Sequence, residues 1–89
     1  MKQNEKLYSV TFYFTKDGRK MLYAYLTEDY SYGFYYSEFS KKWEFSVIDF
    51  KMLEHDFGFE EISEEQALKF ADTKKVKRLF EKMFGFKIG

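Results

Sequence analysis

The chain has 89 residues, 45% hydrophobic, 24% aromatic and 34% charged, with 15 Lys+Arg balanced by 15 Asp+Glu and no Cys or Pro. That length holds a single compact domain, expected to span residues 1–89, and the aromatic content excludes a disordered linker. The lack of Cys excludes a disulfide scaffold, a thiol nucleophile and Cys-based metal centres, while zero net charge argues against indiscriminate binding to nucleic acid or anionic membrane.

In chain order, Leu7 to Phe14 reads as a strand, because Tyr8, Val10, Phe12 and Phe14 alternate with a more polar face carrying Ser9 and Thr11. Asp17-Gly18 supplies the positive φ of a tight hairpin turn. The returning strand, Lys20 to Thr27, carries Leu22, Ala24 and Leu26 on one face and Met21, Tyr23 and Tyr25 on the other. Glu28 to Gly33 reads as a polar loop, Phe34 to Ser40 as a third strand and Lys41-Lys42 as a turn. Trp43, Phe45 and Val47 alternate with Glu44 and Ser46 in a fourth strand. Asp49 to Gly58 suits either a short helix capped by Asp49, the preferred reading, or a continuing strand.

The last third is helical. Ser63-Glu64-Glu65-Gln66 forms a capping box, in which Ser63 accepts from the third helical N–H and Gln66 reaches back. Val76, Leu79, Phe80, Met83 and Phe84 form an apolar stripe at i, i+3, i+4, i+7 and i+8. Extended backwards, that stripe meets polar residues, so a break falls at Asp72-Thr73. Gly85 stands at a C-terminal stop, with Phe86 expected to fold back on Leu79 or Phe80. The expected fold is α+β: a three- to four-stranded antiparallel meander followed by two C-terminal helices packed on one face. The docking faces are the helix stripe and the sheet face of Val10, Phe12, Leu22, Leu26, Trp43 and Phe45. On this reading Leu79→Asp unfolds the domain and Tyr25→Ala barely affects it.

Three features are candidates for chemistry. All eight tyrosines lie between Tyr8 and Tyr36, and Tyr13, Tyr23, Tyr25, Tyr30 and Tyr32 form a candidate aromatic platform for a protein partner or unpaired bases. The competing readings are that tyrosine merely suits a pleated surface or lies under the helices. Together these outweigh the platform. Charge is also polarised: seven acids and one base lie from Asp49 to Glu65, then seven bases and two acids from Lys69 to Lys87. Glu60 and Glu61 are therefore candidate partner contacts, while Lys41, Lys42, Lys74, Lys75, Lys77 and Arg78 are candidate phosphate contacts. Helix-dipole complementarity and a solvated helix face explain the same charges without a ligand, and are preferred. Finally, His55 sits between Glu54 and Asp56, a potential metal or acid–base group, but a surface turn is the simpler reading.

No nucleophile elbow, phosphate loop, dinucleotide fingerprint or EF-hand is present, so no cofactor, metal or catalytic residue is assigned and the chain is read as non-enzymatic. No apolar run approaches the roughly 20 residues that span a bilayer, and the N-terminal residues lead into no signal-peptide core, so no membrane association and a cytoplasmic setting are expected. Lys outnumbers Arg 13 to 2, an AT-rich coding bias that suggests a low-GC bacterium, or a phage or mobile element of one. The expected function is a small interaction module, such as an inhibitor or adaptor, that binds a protein partner through its Tyr-rich sheet face or acidic segment. The alternatives are a single-stranded nucleic-acid binder and a homodimeric structural protein.

Overall fold

The computed structural model describes residues 6–15, 21–46 and 58–89. These form an α+β fold of five antiparallel strands and two C-terminal helices: β1 (Val10–Thr15), β2 (Leu22–Leu26), β3 (Asp29–Ser37), β4 (Lys42–Phe45), β5 (Phe59–Ile62), α1 (Glu64–Ala67) and α2 (Thr73–Phe84). The strand order is β4-β3-β2-β1-β5. The first four strands make the expected meander, and the fifth, which the sequence reading did not identify, pairs with β1 at the opposite edge. Its sequence, Phe-Glu-Glu-Ile, shows no apolar alternation. Charged side chains are characteristic of an edge strand, where they discourage uncontrolled pairing.

The strand boundaries also differ from expectation. Residues Asp29 to Gly33 belong to β3 rather than to a loop, because the chain turns within Thr27-Glu28 and a register shift opposite Tyr25/Leu26 absorbs the extra residues. β3 then ends at Ser37, three residues before the expected Ser40, and the turn to β4 closes with Lys41 in a left-handed conformation at φ 57°. The Asp17-Gly18 turn, Val47, His55 and the helix-or-strand question at residues 49–57 lie outside the described residues.

The centre of the sheet is buried on both faces, with β2 buried at every position. One face presents Phe12, Leu22, Ala24, Leu26, Phe34 and Trp43 to Ala67, Val76 and Phe80 of the helices. This is the predicted docking face. Within it, Phe80 meets Phe34 edge-on with ring centroids 4.9 Å apart, and Trp43 Nε1 donates to the Asp72 carbonyl oxygen at 3.0 Å, tying β4 to the start of α2. The opposite face carries a second buried cluster, Tyr13, Tyr23 and Tyr25, with Met21, Tyr35 and Phe59 packed against it.

Helix boundaries follow the caps. Ser63 and Gln66 form the capping box, but α1 is a single turn, after which Phe70 swings out to stack on Phe14 at 4.5 Å. Asp72 caps α2 by accepting from the backbone N–H groups of Lys74 and Lys75. At the other end Gly85 adopts φ 77°, as a left-handed cap requires. The helical stripe is buried at Val76 and Phe80 and partly buried at Leu79 and Phe84, but Met83 is exposed. Phe86 packs against Tyr8, Tyr32 and Phe84. The tail is tied down there, with Tyr8 N–H donating to Lys87 O and Gly89 N–H donating to Tyr8 O. No helix among the described residues is long and apolar enough to cross a membrane.

Candidate functional site

The tyrosines do not form an exposed platform. Tyr13, Tyr23 and Tyr25 are 6%, 4% and 1% exposed, so their ring faces are not available to stack a base or to anchor a partner. Nor do the C-terminal helices cover them, since those helices occupy the other face. Alternation along β1 and β2 separates the tyrosines from the aliphatic residues, but it carries no information on whether the second face is covered. Tyr30 lies at the margin of this cluster, 39% exposed, with its ring 6.5 Å from that of Tyr25. Tyr32 is on the helix-facing side, where it packs against Phe84 and Phe86 at 4.8 and 5.0 Å. The five candidate tyrosines are thus divided between two faces.

The acidic pair is divided too. Glu60 stands opposite Phe14 in the β1–β5 ladder, and Glu61 opposite Tyr13, so the two carboxylates project to opposite sides of the sheet. Both are exposed. Beside Glu60, Phe14 stacks on Phe70, which is 47% exposed, and Leu68 is exposed on the same connection. The result is an edge strand with acids on both sides and an aromatic pair alongside. Glu60 was legible as a charge, but Phe14, Leu68 and Phe70 were not singled out. Their proximity arises from β5, an element that sequence periodicity missed.

The basic residues separate into different environments. Lys77 donates to Glu64 Oε1 at 2.8 Å, and Thr73 Oγ1 donates to Glu64 Oε2 at 2.8 Å. The Lys77 ammonium, helped by the Thr73 hydroxyl, holds the Glu64 carboxyl below its ordinary value despite partial burial. Lys77 is thus engaged in the only ion pair among the described residues. Lys74 and Arg78 are exposed on α2. Lys41 and Lys42, far from α2 in sequence, meet Lys75 around a cavity of about 200 Å³ that Tyr36, Trp43 and Asp72 also line. Tyr36, Trp43 and Asp72 were not predicted as site residues. The indole–carbonyl bond that brings β4 to α2 is a tertiary contact with no local sequence signature.

A second, wider concavity of about 620 Å³ is lined by Lys6, Tyr8, Glu81, Gly85, Phe86 and Lys87. It lies where the C-terminal tail meets Tyr8, and Lys6 Nζ sits 4.9 Å from the Tyr8 ring centroid. Among the described residues no group of three or more His, Asp or Glu side chains is placed to hold a metal ion. Comparison with protein-family models, with curated proteins and with solved structures finds no match to this chain.

Proposed function

We propose that the protein is a non-enzymatic interaction module of the cytoplasm whose β5 edge receives an extended, basic segment of a protein partner. The observation that carries this reading is the composition of that edge: β5 is a terminal strand of the sheet, with Glu60 and Glu61 exposed on its two sides and the Phe14–Phe70 stack beside it. A terminal strand offers backbone donors and acceptors for strand addition. Neither glutamate is paired with a Lys or Arg among the described residues, so both are available to complement positive charge and to steer its approach. The exposed Phe70 ring supplies the kind of apolar anchor from which interfaces draw much of their energy.

The decisive experiment is affinity capture with crosslinking, using a photoreactive residue at position 60 or 70 and, as a control, at the distant turn position 38. The expected result is a stoichiometric protein partner crosslinked from 60 and 70 only, and lost in Glu60→Lys/Glu61→Lys. A chain that stays monomeric and uncrosslinked overturns the reading. Crosslinks only to a second copy would establish homodimerisation in its place, and crosslinks to nucleic acid from position 38 alone, in the turn that carries Lys41, would establish the basic face as the functional one.

A further inference from the structure

We propose that the cavity between the β3–β4 turn and the start of α2 is a binding site for a dianionic phosphate group, either free phosphate or the terminal monoester of a small molecule. This site lies on residues separate from the β5 edge and does not depend on that reading. Three ammonium groups, those of Lys41, Lys42 and Lys75, belong to residues lining one cavity of about 200 Å³. None of the three forms an ion pair among the described residues, where Lys77–Glu64 is the only one. The one carboxylate in the lining, Asp72, already accepts from the N–H groups of Lys74 and Lys75. Three cations against one committed anion leave a local excess that matches a phosphate dianion.

The rest of the lining suits the same ligand. Tyr36 packs its ring against Trp43 at 5.4 Å, and its hydroxyl has no hydrogen-bond partner among the described residues, so it is available to donate to a phosphate oxygen. Lys41 occupies a backbone region, φ 57°, that ordinarily selects Gly, Asn or Asp. Retaining lysine there costs stability and places a cation at the rim, a pattern found where strain serves a binding site. A single concave cluster also favours a discrete phosphate over a nucleic-acid backbone, which needs a track of charge. Along α2 that track is interrupted, because Lys77 is engaged by Glu64.

Trp43 is the only tryptophan in the chain and lines the cavity, so its emission reports occupancy directly. Titration with inorganic phosphate, at constant ionic strength maintained with sodium chloride, should give a saturable change with a Kd on the order of 1 mM, as expected for solvated lysines. A phosphomonoester such as phosphoserine should compete in the same concentration range if the natural ligand is a monoester, and fail to compete if the site takes free phosphate alone. Lys42→Gln/Lys75→Gln should weaken phosphate binding by about tenfold or more at unchanged melting temperature, while Lys82→Gln, on the last turn of α2, should not alter it. No saturable response, or equal binding by the double variant and wild type, overturns the site. So does a response to a phosphodiester oligonucleotide with none to phosphate.

Discussion

Gly33 of β3 stands directly opposite Tyr25 of β2, and the Tyr25 ring lies across the space a side chain at 33 would need. A Cβ at position 33 would sit 2.5 Å from Tyr25 Cε1, inside any tolerable contact. Glycine weakens a strand interior, yet here it permits an aromatic ring to cover the bare backbone of its neighbour, a known means of protecting strand glycines. Tyr25 is then positioned to meet Tyr13 and Tyr23 at 6.3 and 6.2 Å and to place its hydroxyl 3.4 Å from Ser46 Oγ.

Gly33→Ala should therefore destabilise the domain by about 1–3 kcal/mol, the usual range for overpacking, despite alanine's lower entropic cost. Urea denaturation gives the value. A change below about 0.5 kcal/mol, the scatter of neutral surface substitutions, would mean that the ring swings aside freely and that the pairing is incidental.

Burial of the tyrosine cluster reverses the expectation that Tyr25→Ala is harmless. At 1% exposure its truncation should cost about 3–5 kcal/mol, comparable with Phe80→Ala in the helix-facing core. Near-equal losses in thermal or urea melts would establish two cores, one on each sheet face. A small loss for Tyr25→Ala alone would show that its surroundings collapse to fill the space.

What was legible in the sequence was local. The helix-facing core follows from alternation at Phe12, Leu22, Ala24 and Leu26 together with the 3.6-residue spacing of Val76 and Phe80. The Ser63 and Gly85 caps, and a helix start at Asp72-Thr73 that the structure assigns to an Asp72 cap, follow from residue chemistry that acts within one turn. What stayed hidden was tertiary. β5 lacks alternation, the Glu28–Gly33 segment reads as a polar loop although its tyrosines favour strands, and the shift beside Leu26 moves Tyr30 and Tyr32 to different faces. The cavity beside Trp43 joins residues more than thirty positions apart, from Lys41 to Lys75. No periodicity within either segment encodes that approach.

Glu64 should give the domain an acid-sensitive increment of stability. Its carboxyl is held below the ordinary value of 4.5, first by the Lys77 hydrogen bond and then by Thr73. A depressed folded-state pKa contributes stability that is present above the unfolded value and lost as pH falls through the folded one. Because both side chains are partly solvated, the increment should be no more than about 1 kcal/mol. Thermal melts of wild type and Glu64→Gln should therefore differ at pH 7, with the gap shrinking progressively as pH falls below 4.5 and narrowing at pH 7 in high salt. A gap independent of pH would assign the effect to the Thr73 hydrogen bond or to packing.

Lys41→Gly separates backbone strain from function. The Lys41 N–H donates to Ser37 O at 2.7 Å, which closes the β3–β4 turn with Lys41 at φ 57°. A non-glycine residue there costs about 1–2 kcal/mol, which glycine relieves while adding about 0.4–1 kcal/mol of unfolded-state entropy. The net expectation is stability unchanged or raised by up to about 1 kcal/mol in urea denaturation. If Lys41 serves the cavity, the same variant should bind phosphate several-fold more weakly by Trp43 emission, because one of three cations is gone. Stability gained together with affinity lost would identify Lys41 as a residue retained for binding at the expense of the fold. A loss of stability would instead show that its side chain supports the turn, while unaltered affinity would remove Lys41 from the site.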